Sequence, residues 1–309
     1  MVDACPEAGA VLEVLVQRSV RAWRMGVVPV ALEASGAGAG LAAALGLPEA
    51  WWQLSMVQAE AELDRSNFDA AAHLAEAIAD HPWTADRPDL QAQACLVASR
   101  AHRLADDRAD ALVLAQRALA VIGERPAEDP VQAAALVCVL AALPTPDERL
   151  VAQLEAGLER STDPAVRGPV AWTLGNLAFE RGQVQRALAL HEEAERSLRP
   201  RVSLRQWARF ARSAADERLK AGRVEEVEPL LIRARIGLEA LGSHHELASL
   251  AVTEASYFTV HGCVGAIIGR QVASTSGTSS RSRSSSTVVP CTSRTTTPRS
   301  SIRKTASLV

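Results

Sequence analysis

Residues 172–200 read WTLGNLAFERGQVQRALALHEEAERSLRP, and this stretch reads as two helices joined by a tight turn. Leu174, Leu177, Ala178 and Phe179 keep helical spacing up to Gly182. After the turn, Ala187, Leu190, His191 and Ala194 fall on one face of a second helix, because residues three and four apart stack on a helix surface. Pro200 ends the unit.

Working outward, the same unit recurs. The small residue early in each second helix falls at Ala31, Ala71, Ala111, Ala187 and Val227, separated by 40, 40, 76 and 40 positions. The long gap is two shorter units. The preceding turn gives a parallel row, Gly26, Ser66, Asp106, Gly182 and Gly222. Helix starts supply a third row. Pro48, Pro88, Pro130 and Pro164 suit a first helical turn, whose amides lack partners in any case. Ser203 with Gln206, Ser243 with Glu246, Asp129 with Gln132, and Thr145 with Glu148 have the spacing of capping boxes. A pair of such helices cannot bury both its faces alone, so the units must stack. The spacing predicts an extended, curved array with a concave side. Gly36–Gly46 is too glycine-rich for a well-formed helix, and Gly168-Pro169 and Pro229 predict local bends or shifted starts.

The composition agrees with this class. The chain has 309 residues, 48% hydrophobic but only 4% aromatic, and a core of Ala and Leu suits close-packed helices better than sheets. The fold class is all-α. The formal charge of −3 is unevenly spread. Residues 258–309 carry seven basic and no acidic side chains, leaving 26 basic against 36 acidic upstream, a net of −10. An acidic body argues against direct nucleic-acid binding by the repeat region, because affinity for phosphates comes from clustered basic groups. Cys5, Cys95, Cys138, Cys263 and Cys291 are odd in number, widely spaced and without a zinc pattern, which predicts reduced thiols. The first residues have an acid where a signal peptide needs bases, and no apolar run approaches the ~20 residues of a membrane span. The expectation is a cytoplasmic protein with no membrane partner.

The Leu174-Gly175 pair, Ala187 and the closing Pro200 resemble the tetratricopeptide (TPR) repeat. The period near 40 is similar to the long repeats in the sensory region of MalT-like bacterial transcriptional regulators. The resemblance covers about residues 10–257 and implies antiparallel helix pairs stacked as a right-handed superhelix, or α-solenoid. It implies about six pairs, the first and last irregular or incomplete, after a disordered 1–9. This sequence departs from the pattern at Ala178, where the family has Tyr, and at His191, where it has Phe. It also carries no recognisable DNA-binding domain. The function implied is a non-enzymatic scaffold or regulatory module that binds protein or peptide, with homo-oligomerisation open. A small-molecule effector sensor with a pocket between repeats is the alternative. In TPR-like arrays first helices line the concave face. Carried over by distance from each turn, the groove positions are Gln93, Arg100, Arg103, Asn176, Arg209, Arg212 and Asp216. Guanidinium groups there suit an acidic or C-terminal carboxylate.

Catalytic, cofactor and metal patterns are not found. Gly36-Ala-Gly-Ala-Gly40 lacks the lysine and preceding strand of a phosphate loop. His244, His245 and Glu246 are adjacent, so they point apart on a helix and read as a capping turn. Trp51, Trp52 and Trp83 read as packing at a joint between units, with a ligand pocket as the alternative.

From Gly269 to Val309, 20 of 41 residues are Ser or Thr, which predicts a basic, disordered tail over 258–309. The sixth unit stops after one helix, and the chain uses 31 Arg against 2 Lys, as a GC-rich gene would. Because GC-rich codons shifted by one base turn Ala, Leu and Glu into Arg and Ser, the tail from about Tyr257 is also readable as a frameshifted remnant of further repeats. Translation of the other frames tests this, and the idea fails if neither continues the 40-residue period.

Overall fold

The row of turns is the clearest link between sequence and backbone. In the computed structural model, Gly26, Ser66, Asp106, Gly182 and Gly222 all have φ between +65° and +75°. Ser66 and Asp106 are the two non-glycine residues in that left-handed region among the described residues. The turn geometry is therefore fixed by the array, and short polar side chains tolerate it where glycine is missing.

The structure describes residues 6–200 and 203–275, with side chains from 8 to 262 apart from residues 201 and 202. Over these it is all-α: α1 (Pro6–Arg24), α2 (Val28–Ala44), α3 (Pro48–Asp64), α4 (Phe68–Ala79), α5 (Pro88–Leu104), α6 (Arg108–Ile122), α7 (Pro130–Ala142), α8 (Glu148–Arg160), α9 (Pro164–Glu180), α10 (Val184–Ser197), α11 (Leu204–Lys220), α12 (Val227–Leu241) and α13 (His244–Thr275). Short 3-10 turns at Pro82–Thr84 and Val224–Glu226 precede α5 and α12. No strand occurs among the described residues. The chain divides into two units, residues 1–264 and 265–309, and the fold described below is that of the first.

Consecutive helices pack against one another throughout this unit, as a stack of helix pairs requires. The row of small residues is the contact line: Ala31, Ala71, Ala111, Ala187 and Val227 are all fully buried. The four predicted prolines each open a helix at the position expected. Asp129 accepts hydrogen bonds from the amides of Val131 and Gln132, both at 3.0 Å, and Ser203 accepts one from Gln206 at 3.2 Å.

Several expectations need correction. Residues 28–44 form one helix despite their glycines. Gly38 is buried, and a Cβ there would stand 2.8 Å from a Leu54 methyl, so close helix packing outweighs poor intrinsic propensity. Pro169 lies inside α9 without moving its start from Pro164. Pro229 falls in the first turn of α12, where no internal bond is lost. The cap of α8 is Asp147, whose side chain accepts from the Arg149 amide at 2.8 Å, and not Thr145. Helix α1 already includes residues 6–9, and α13 runs to Thr275, past the boundary at 257. Tyr257 itself is buried in the core around Leu250 and Phe210. The expected disorder of residues 1–5 and of the tail beyond 275 lies outside the described residues. Among the described residues no helix is long and apolar enough to cross a membrane.

The largest difference is closure. An extended array would leave its first and last units apart. Instead Leu241 and Leu204 join Ala22, Val28, Ala31, Val57 and Ala61 in one apolar cluster. At Gly26 a Cβ would lie 2.7 Å from Leu204 and 3.6 Å from the Ala240 carbonyl. Ser66 and Ser243 hydroxyls meet at 3.3 Å, and Phe68 stacks edge-on with His245 at 5.5 Å. The helices at the two ends of the unit therefore touch along a seam made by side chains.

Candidate functional site

Helices α3, α5, α11 and α13 bring together the charged groups that line this seam. Arg205 of α11 lies 2.7 Å from Glu60 and 3.3 Å from Asp64, both on α3 and 145 or fewer positions away in sequence. Glu60 also pairs with Arg100 of α5. Further along α11, Arg209 Nε stands 2.7 Å from one oxygen of Glu246 and Arg212 Nε 3.1 Å from the other. The Arg209 contact is out of line for a hydrogen bond, and that nitrogen is buried without an aligned acceptor. Arg103 of α5 lies within electrostatic reach of Arg100, Glu246 and Arg209. It has no carboxylate within ion-pair distance among the described residues.

Helical spacing explains the convergence. Arg205, Arg209 and Arg212 are four and three apart on α11, Arg100 and Arg103 three apart on α5, and Glu60 and Asp64 four apart on α3. Each set forms one stripe. The stripes meet because their helices occupy equivalent places in the array: Glu60 and Arg100 are 40 positions apart. An offset one residue longer places Trp23 Nε1 3.0 Å from Asp64, 41 positions on, and Trp172 Nε1 3.3 Å from Ser213, again 41 on.

The electrostatics differ from group to group. Burial would raise the Glu60 carboxyl, but Arg100 and Arg205 outweigh it and hold the group at about 2. Asp64, only 2% exposed, is pushed up to about 6 by burial, with Glu60 adding to the rise and Arg205 opposing it. Burial pulls Arg209 down to about 10, and burial also lowers Arg103, with Arg100 opposing its charge. Burial would likewise raise Glu246, yet Arg209 and Arg212 hold it below the usual carboxylate range. Five arginines thus face three carboxylates, one of them readily protonated. Buried charge of one sign in excess is unfavourable unless a counter-charge completes it.

Of the seven groove positions expected from sequence, Arg100, Arg103, Arg209 and Arg212 come together here. The other three do not. Asn176 turns to α10 and meets His191 Nε2 at 3.1 Å. Asp216 pairs with Lys220 at 2.6 Å along its own helix. Gln93 is half-buried on α5 with no side-chain hydrogen bond among the described residues. The residues that sequence reasoning missed are Glu60, Asp64, Arg205 and Glu246. A signal for one pair was present, since Glu60 and Arg100 are opposite charges one period apart.

A second buried polar cluster joins α9, α10 and α11. His191 is 1% exposed and its Nδ1 lies 2.6 Å from Glu217. Burial, with Arg218 nearby, pulls the imidazole down to about 4, and burial raises Glu217 to about 7. The contact is out of line for a hydrogen bond, since Glu217 Oε2 is buried without one, and the shifts favour a neutral ring beside a carboxyl that keeps its proton longer than usual. His191 fits because residue 175 is glycine: a Cβ there would stand 2.3 Å from the ring.

The remaining candidates have packing, capping or hydrogen-bonding partners within the fold. His244 and His245 open α13, and Glu246 is engaged by arginines. His102, Asp107 and Asp110 bring possible ligand atoms within 4.8 Å of one another. Asp107 caps α6 and Asp110 lies in its first turn, however, and that positive helix end favours anions without any cation. His102 Nε2 is also taken by Glu76 at 2.7 Å. Trp51 packs on His81 at 4.0 Å and Trp83 at 5.4 Å beside the core. Cys95 and Cys138 are buried free thiols, both raised by burial. The side chains of Cys5, Cys263 and Cys291 lie outside the described residues. No protein-family model matches the chain, and no curated protein matches it either.

Proposed function

We propose that this chain is a non-enzymatic binding module, and that its arginine-lined face takes up a carboxylate of a partner protein or peptide, either an acidic side chain or a chain end. The observation that carries this is the convergence of Arg100, Arg103, Arg209 and Arg212, with Arg103 free of any carboxylate among the described residues. Glu246 already sits between two of these guanidinium groups as an incoming carboxylate would. By its resemblance to the sensory region of MalT-like regulators, the module serves a bacterial transcription or signalling system.

Charge reversal at Arg100 and Arg212 abolishes capture of partner in a pull-down on this reading. Because both residues also hold the seam, Arg103→Glu is the cleaner variant. It should weaken binding of an oligoglutamate peptide at least tenfold by fluorescence anisotropy while the circular-dichroism spectrum stays that of the folded wild type. Equal affinity for wild type and variant removes this face from consideration. A second reading, a small-molecule effector sensor, has its own observation: a cavity of about 430 Å³ between α7 and α8.

A further inference from the structure

The cavity exists because the middle of the array breaks step. Helix α7 has 13 residues, where the other first helices α3, α5, α9 and α11 have 17, while α8, also 13, is close in length to the second helices α4, α6, α10 and α12. The difference is about one turn. The segment Gly123–Asp129 covers the gap left by the missing turn. Gly157 lets α8 approach it, since a Cβ there would be 2.8 Å from the Ala127 carbonyl.

The walls are Pro126, Ala127, Leu136, Ala152 and Ala156, with Gln132 and Gln153 as the uncharged polar groups and Arg125 and Arg160 as the charged ones. Both arginines are committed. Arg125 is 2.6 Å from Asp89 and 3.8 Å from Asp129, and Arg160 is 2.9 Å from Glu128. The cavity therefore has no excess charge to attract an ion.

Gln132 is the informative residue. Its spacing from Asp129 predicts a capping box in which the glutamine side chain bonds back to the Asp129 amide. Asp129 does cap the helix, but its amide bonds to the Pro126 carbonyl at 3.0 Å instead. The glutamine amide is released from that duty and lines the cavity, where its Oε1 is buried with no hydrogen-bond partner among the described residues. A buried acceptor left open beside apolar walls is the element that gives a pocket preference for one donor.

We propose that the α7–α8 cavity binds a neutral, largely apolar small molecule that donates one hydrogen bond, from N–H or O–H, to Gln132 Oε1. This rests on the effector reading above and names the class of ligand. The site is separate from the arginines, so each reading can fail without the other.

The matched probes are indole and indene, which have nearly the same shape but differ in the N–H. Titrated into the full chain and followed by ligand-observed NMR, indole should bind about tenfold or more tightly than indene. Gln132→Leu keeps the volume and should bring the two affinities together. Ala152→Phe, placed on the exposed side of the cavity, should abolish binding of both. Equal affinities in the wild type, indole binding unchanged by Ala152→Phe, or no binding of either probe overturns the proposal. The oligoglutamate peptide measured on the Gln132→Leu protein separates the outcomes: its affinity stays at the wild-type value whichever way the cavity experiment falls.

Discussion

The two buried polar clusters solve the same problem in opposite ways. At the seam, Arg205, Glu60 and Asp64 are charged partners drawn from distant parts of the chain. Between α9, α10 and α11, His191, its hydrogen-bond partner Asn176 and the adjacent Glu217 carboxyl form a compact buried group drawn from neighbouring helices. A charged cluster is held in place only while every member is present, because removing one strands the others in a poor solvent for ions. A neutral cluster can be replaced as a whole at little cost. The seam is thus the sensitive part of the molecule, and it carries the candidate binding arginines.

The strongest way to break this contrast is Arg205→Ala. It should lower stability to urea by about 3–5 kcal/mol by leaving Glu60 and Asp64 without their shared partner. A loss no larger than that of an ordinary surface substitution would mean that the ends are held by apolar contacts alone.

Acidity gives the next largest effect. Folded Asp64 keeps its proton to about pH 6, whereas the ordinary value of an aspartate carboxyl is 3.8. The native state therefore binds more protons, and its stability falls as pH rises through that window. Asp64→Asn should remove the fall, leaving the variant more stable relative to wild type at pH 7.5 than at pH 4 by about 2–3 kcal/mol, at about 1.4 kcal/mol per pKa unit. The same difference at both values of pH would show that Asp64 is ionised throughout.

The neutral cluster behaves differently. His191→Phe should cost about 2 kcal/mol, since Glu217 and Asn176 lose their partner. Adding Glu217→Leu should recover part of that loss, as replacing a whole cluster does and removing one member does not. If the double variant is worse than the sum of the singles, the contact between ring and carboxyl is not what holds the group. Smallest of all, Ser203→Ala should cost about 1 kcal/mol of thermal stability by removing the cap of α11. It should leave Arg205 and its partners in place.

Much of the architecture was legible from spacing because its causes are local. Pro48, Pro88, Pro130 and Pro164 mark helix starts by the chemistry of a single turn. The row from Gly26 to Gly222 marks tight turns by position even where Ser66 and Asp106 stand in for glycine. The errors have a common source. The glycines of 36–46 and the proline at 169 have poor helix propensity, and neighbouring helices override it. Asn176 and Asp216 were assigned to the groove by counting along a helix, which fixes a face but not which neighbour that face meets. Thr145 was a plausible cap, but Asp147 lies closer to the first packed turn.

Helix periodicity and capping act within a few residues, so the all-α class, the places of the turns and the arginine stripes on α5 and α11 could be read from residue order alone. That α3 and α13 come to face those stripes, and that Gln132 is left open beside a cavity, is a matter of long-range packing. Both depend on how small rotations between successive helix pairs add up across more than 140 residues, and on one missing helical turn in the middle. No local pattern encodes that sum.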